Sequence, residues 1–197
     1  ILIGKGLCYA KCLSIKSGKI IFKLLDFYAA EERTFDLLIG LSRPQTVKKI
    51  LEYSAGQPIR NIFFYKAKLS EKSYATSKTF DKDKLNQVLC AGLSQSGRFK
   101  TLPKISIFQY FPVKLICDYK DKYILSLESK NNIFDYQEIK AAKPLLAVGP
   151  ERGFTDKELL QYKELDFKEI LLSKSILRVE TAIIAFCSQL ELLNFQK

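Results

Sequence analysis

Histidine is absent from all 197 residues of this chain. That absence removes Ser-His and Cys-His catalysis and any imidazole general base. It also leaves a zinc site with only five scattered cysteines, Cys8, Cys12, Cys90, Cys117 and Cys187, of which only Cys8 and Cys12 are close. Such spacing does not suit a tetrahedral metal site, and no metal is expected. The same odd number of cysteines does not read as a disulfide scaffold, so a reducing, cytoplasmic compartment is expected. Methionine is absent too, and the chain opens on Ile1, as a segment from inside a longer protein would. No apolar run approaches the roughly 20 residues of a membrane span, so no membrane partner is expected. The first residues carry no secretory-signal pattern. The chemistry left to such a chain rests on carboxylates, Arg, Lys, Tyr or a cofactor.

Basic residues, by contrast, are abundant. The chain has 32 Lys and Arg against 21 Asp and Glu, a formal net charge of +11. An excess of this size suits a polyanionic partner, nucleic acid first. A solvated Lys-rich surface has the same composition. Hydrophobic residues make up 47%, enough for a substantial core. The length favours one domain, or one with a small appendage.

The chain divides near residues 29–33, which are polar and charged. Before them, 7–13 and 19–25 read as short strands around the turn Lys16-Ser17-Gly18. After them, strands and helices alternate. Residues 37–41, 61–65, 105–108, 123–127, 145–148 and 170–172 are predicted strands. Pro44 suits a helix start, with Val47, Ile50 and Leu51 on one face. Asp81 suits an N-cap for a helix with Leu85, Val88, Leu89 and Gly92 on its apolar face, ended by Gly97. Thr155 with Glu158 is a capping box. The last helix carries Val179, Ile183, Phe186, Leu190 and Leu193 at helical spacing. Alternation of this kind predicts an α/β fold, a mostly parallel sheet with helices on both faces. The polar stretch 66–83 reads as a long exposed loop, solvated or functional.

Two segments stand out as strand-turn-helix connections, where α/β proteins place ligand sites. The first is Ala147-Val148-Gly149-Pro150-Glu151-Arg152-Gly153-Phe154-Thr155. Its glycines permit close backbone approach, and amides opening the next helix favour a polar or negative group. Glu151 there is either a ligand-binding acid or a helix-dipole partner. The second is Ile176-Leu177-Arg178-Val179-Glu180-Thr181-Ala182. Arg178 and Glu180 are either a structural ion pair or a charged pair held at a cleft. Gln95-Ser96-Gly97-Arg98 is either a basic helix end or an RNA-contacting corner.

Taken together, Gly149-Pro150-Glu151-x-Gly153-Phe154 and Leu172-x-x-x-Ile176-Leu177-Arg178-x-Glu180-Thr181-Ala182 resemble the C-terminal signature of the RsmE family. Those ribosomal-RNA small-subunit methyltransferases methylate N3 of a uridine in 16S RNA. Gln95-Ser96-x-Arg98 and Pro103 match the family's mid-chain motif. The resemblance runs from about residue 37 to the end. It implies the SPOUT class, with S-adenosylmethionine held by a C-terminal trefoil knot and a homodimer as the working form. Nothing in periodicity or composition implies a knot, and ordinary topology rules oppose one.

Under this resemblance, residues 35–197 are the methyltransferase domain. Residues 1–34 are a remnant of a PUA-like RNA-binding β domain. Cofactor contacts fall on Ala147, Val148, Gly149, Pro150, Glu151, Gly153, Leu171, Leu172, Ser173, Ile176, Leu177 and Thr181. Arg178 is the expected stabiliser of the deprotonated uridine imide. Glu151 or Glu180 takes the proton or orients Arg178. Gln95, Arg98, Lys66, Lys68 and Lys72 are expected to contact ribosomal RNA or the small subunit. The family has Gly where this chain has Arg152 and Ser173, both in the expected cofactor loops. A ribose 2′-hydroxyl target, or a non-catalytic RNA-binding or assembly role on the same fold, are the alternatives.

Overall fold

The computed structural model describes residues 2–3, 6–71, 73–74, 78–140 and 143–195; Lys72 lies outside them. Two sheets form. The first is antiparallel and consists of β1 (Leu2–Ile3), β2 (Gly6–Lys16) and β3 (Lys19–Ala29). Ser17 and Gly18 join its long strands with φ of 48° and 73°. Two left-handed residues in a two-residue loop follow the natural twist of a hairpin. Pairing therefore runs from Lys16↔Lys19 to Gly6↔Ala29, longer than the expected 7–13 and 19–25. β3 is exposed along its whole length, Phe22, Leu24 and Phe27 included.

The second sheet holds six strands. In chain order the elements are β4 (Phe35–Gly40), α1 (Pro44–Ala55), β5 (Ile59–Tyr65), α2 (Lys82–Ser96) and β6 (Lys104–Phe108). Then come α3 (Val113–Cys117), β7 (Lys122–Leu125), β8 (Leu145–Val148), α4 (Asp156–Glu164), β9 (Lys168–Ile170) and α5 (Val179–Phe195). The strand order is β6-β5-β4-β8-β7-β9, and every pair is parallel. This is the α/β sheet that the alternation predicts. β4 is buried at all six positions, as a strand covered on both faces must be. Its Leu37 and Ile39 enter the core under α1, α2 and α5, while Leu38 enters the core under α3 and α4.

Local signals set most boundaries. Pro44 opens α1, and Gly97 closes α2 in the left-handed conformation at φ 61°. Thr155 and Glu158 cap α4 reciprocally. Gly92 lies under α1 so closely that a Cβ would come within 1.7 Å of the Glu52 carbonyl oxygen. One element carries no sequence signal, and two expectations need correction. The five-residue α3 has too few residues for any periodicity to announce it. The 66–83 stretch is not a solvated loop throughout, because Ala67 is buried and Phe80 packs its ring 5.5 Å from Phe64. The predicted strand 170–172 is β9, which ends at Ile170.

Arg33, in the polar stretch between the sheets, is 9% exposed. Its guanidinium donates to the carbonyls of Ser54 at 3.4 Å, Ala55 at 2.7 Å, Ile59 at 3.1 Å and Thr101 at 3.0 Å, and to that of Gln57. Ser54 and Ala55 lie in the last turn of α1, where carbonyls lack helical partners and a cation is favoured. Burial pushes the Arg33 pKa down to about 10, so the group remains charged at neutral pH. Arg33→Leu would take the guanidinium from five carbonyls, those of Ala55 and Ile59 in buried bonds, and each buried carbonyl left unpaired costs about 1–3 kcal/mol. Urea denaturation is expected to show a loss of about 3 kcal/mol or more. A loss below about 1 kcal/mol would contradict the role assigned to Arg33.

Candidate active site at the carboxyl edge of the sheet

Because all six strands run the same way, their carboxyl ends share one edge. Chain order reverses there between β4 and β8, since β5 and β6 lie to one side and β7 and β9 to the other. A crevice at such a switch point is the usual ligand site. Here two turns close it. A Cβ on Gly40 would lie 2.4 Å from Cδ of Pro150 and 2.9 Å from its nitrogen. Glu151 Oε1 accepts the backbone N–H of Arg43 at 3.0 Å. Arg43 is the N-cap of α1 and makes no side-chain cap bond of its own, so Glu151 places its negative charge where the helix dipole favours it.

The flank of β8, β7 and β9 remains. The turn after β8 and the segment after β9 lie on either side of the β7 exit. The Ser126 N–H donates to the Ile170 carbonyl at 3.0 Å, and the Leu171 N–H to that of Asn131 at 2.8 Å. Ser129 Oγ donates to the Asn131 and Glu169 carbonyls at 3.1 and 3.0 Å. The β7 exit, including Leu127, was not a sequence candidate. No local signal marks it, because its place between the two motifs comes from strand order.

Ala147 and Val148 bury their side chains, so only their backbone reaches the edge. Gly149 is half-buried, with Gly153 Cα 3.3 Å from where its Cβ would stand, and Gly153 has φ 72°. Leu171, Leu172, Ser173 and Leu177 are half-buried, and Pro150 is buried. The Leu172 carbonyl accepts from Gln189 Nε2 at 3.0 Å, which ties the segment to α5. Ser173 Oγ accepts the Ser175 N–H at 3.0 Å. Neither Ser173 nor Arg152 has positive φ, so neither position needs a glycine's backbone freedom. Ile176 is 85% exposed and Leu127 55%.

Arg178 and Thr181 are exposed, and among the described residues no hydrogen bond fixes the Arg178 guanidinium. Glu180 instead lines a cleft of about 490 Å³ with Lys49, Glu52, Tyr53 and Gln95. Lys49 Nζ donates to Glu180 Oε1 at 3.1 Å. Burial pushes the Glu180 carboxyl up, but its own backbone N–H, Lys49 and the charge of Arg178 outweigh that and hold its pKa below the usual value. Lys49 was missed, since 131 residues separate it from Glu180. The structure thus brings Gln95 and Glu180 to one cleft. Arg98 is engaged elsewhere, with Glu31 at 2.8 Å and with Glu191. Lys66 and Lys68 lie beyond β5, at a separate groove.

A family model for the RNA methyltransferase domain matches residues 30–191. Ribosomal RNA small subunit methyltransferase E 1 of Borreliella burgdorferi is 34% identical over 181 residues, 88% of this chain and 74% of that protein. Ribosomal RNA small subunit methyltransferase E of Treponema pallidum is 28% identical, over 85% of this chain and 65% of that protein. The structure of the Neisseria gonorrhoeae enzyme of the same name, bound to S-adenosyl methionine, superposes with a TM-score of 0.75 at 21% identity. That match covers 96% of this chain and 80% of that one. Fold and matched domain define the class of α/β RNA methyltransferases. Within it, the chain belongs to the ribosomal RNA small subunit methyltransferase E family, as its two carboxyl-edge motifs imply.

The capping role of Glu151 has a measurable consequence. Glu151→Ala is expected to lower stability by about 1 kcal/mol, the usual cost of a lost helix cap. An unchanged urea midpoint would contradict that role.

Proposed function

We propose that this chain transfers a methyl group from S-adenosylmethionine to N3 of a uridine in small-subunit ribosomal RNA. The observation that carries the reading is the strand order, which sets the turn after β8 and the segment after β9 on either side of the β7 exit. The residues present fit the cofactor. Backbone groups of 147–149 and 171–176 suit the hydrogen-bonding edge of adenine, and exposed Ile176 and Leu127 suit its faces. The Gly149 and Gly153 backbones lie close together without side chains between them. Wrapping of the chain into a trefoil knot around these loops is part of the same proposal.

When bound, S-adenosylmethionine supplies a methyl group on a cationic sulfonium. The chain must hold the uridine N3 in line behind it. Arg178 is proposed to stabilise the uridine imide as its negative charge spreads onto the base oxygens, a task for a planar, always-charged fork. Glu180 is a weak base at neutral pH because Lys49 and Arg178 favour its charged form. It is assigned to orienting Arg178 by charge. Glu151 is assigned to holding the turn through Arg43. Lys66, Lys68, Lys72, Gln95 and the basic hairpin of residues 1–34 are proposed to contact RNA.

A homodimer in a cytoplasmic compartment completes the proposal. Of the apolar residues of α5, Ile183, Phe186, Leu190 and Leu193 fill the chain's own core. The outer side carries Ile184, Leu192 and Phe195, exposed by 38%, 57% and 80%, and this is the proposed contact. Sedimentation at micromolar concentration is expected to show a dimer, and a monomer would overturn that part.

The experiment that tests the catalytic assignment is methyl transfer to unmodified small-subunit RNA by Arg178→Ala. Loss of the Arg178 charge is expected to slow turnover by about 10²- to 10³-fold. Calorimetry is expected to show S-adenosylmethionine affinity little changed. Near-normal turnover would remove Arg178 from the mechanism, and failure of the unaltered chain to bind the cofactor would overturn the function.

A further inference from the structure

A second groove, of about 330 Å³, opens at the carboxyl ends of β5 and β6, on the far side of β4 from the loops just described. Lys66, Lys68, Gln109, Tyr110, Phe111 and Gln161 line it. Tyr110 is 83% exposed. Its position is nevertheless well anchored. The neighbouring Phe111 turns inward and packs edge-on against Tyr65 and Tyr162, with ring centroids 5.3 and 5.0 Å away. Those two tyrosines join their hydroxyls at 2.9 Å inside the core. The Val113 N–H closes the turn onto the Phe111 carbonyl at 3.0 Å, and the Lys66 N–H donates to that of Phe108 at 3.2 Å.

The opposite wall is equally fixed. Glu158 accepts the Lys68 N–H at 2.9 Å through Oε1. Through Oε2 it accepts the Thr155 N–H at 2.9 Å and the Thr155 hydroxyl at 2.8 Å. This buried carboxylate is thereby satisfied, and it ties the groove floor to the start of α4. That helix follows directly from the 149–153 turn, so one short element links the groove to the site of methyl transfer.

We propose that this groove binds an unpaired nucleobase of the RNA substrate, with Tyr110 as the stacking surface; the inference rests on the function proposed above. Each wall component has a task in that role. A bare aromatic ring next to this anchored turn offers a face to any base. The amides of Gln109 and Gln161 offer donors and acceptors to a base edge. Lys66 and Lys68 offer ammonium groups to the flanking phosphates. Stacking of this kind requires a base already released from a helix, so single-stranded RNA is the fitting ligand and duplex RNA is not. An acidic peptide would use the two lysines and leave the ring and both amides without a partner.

The test is fluorescence anisotropy of a labelled single-stranded, uridine-rich RNA with the whole chain. Tyr110→Ala is expected to weaken binding by roughly ten-fold or more, and Tyr110→Phe by no more than about two-fold, because stacking needs the ring and not the hydroxyl. An RNA duplex of equal length is expected to respond little to either change. Since Tyr110 is exposed, the melting temperature and S-adenosylmethionine affinity are expected to stay unchanged. Irradiation of the same RNA carrying 5-iodouridine is expected to cross-link Tyr110. Equal affinity of the Ala variant and the unaltered chain would overturn the groove while leaving the proposed function standing. No binding of RNA by the unaltered chain would overturn both.

Discussion

The contact between Gly40 and Pro150 constrains everything built at the carboxyl edge. No side chain fits between the β4 and β8 turns, because even a Cβ would stand 2.4 Å from the proline ring. The hydrogen bond from Arg43 to Glu151 fastens the same two turns a few residues further on. Together they close the switch-point crevice that parallel sheets usually give to a ligand. Ile176 and Leu127, on the segments that leave β9 and β7, stay bare. Pro150 and Glu151 thus act by joining the two turns.

Charge is divided between the two edges of the sheet. At the amino edge it is used internally. Asp36, with no exposure, accepts from Arg60 Nε at 3.0 Å, from the Asn61 N–H at 2.9 Å and amide at 2.8 Å, and from the Tyr119 hydroxyl. Arg33 serves five carbonyls nearby. Burying such groups is tolerable only with every partner in place, which makes this edge a rigid base. At the carboxyl edge, Arg178 is exposed and without a hydrogen bond among the described residues, and Lys66 and Lys68 border a groove. Cations placed in this way suit a polyanion.

How much of this was legible depended on range. Pro44, Gly97 and the Thr155–Glu158 box each act on their own turn, and each marks its helix end as read. The glycine- and arginine-bearing motifs were visible because they are contiguous. What spans the chain was not visible. The α5 periodicity identified an apolar face but not that the face meets α1 and the sheet of its own chain. Arg33 reads as a linker residue until the carbonyls of α1 surround it. Lys49 and Glu180, or Gly40 and Pro150, meet only once the strand order is known. Arg152 and Ser173 departed from the family's glycines, and only their ordinary φ shows that the backbone tolerates them.

The central claim is that this carboxyl edge delivers a methyl group to N3 of one uridine in small-subunit ribosomal RNA. The most direct measurement is mass spectrometry of nucleosides and mapped fragments from that RNA, taken from cells with and without the gene. The account predicts one N3-methyluridine, at a single site, that disappears when the gene is lost. A ribose-methylated nucleotide lost in its place, or an unchanged RNA, would contradict it.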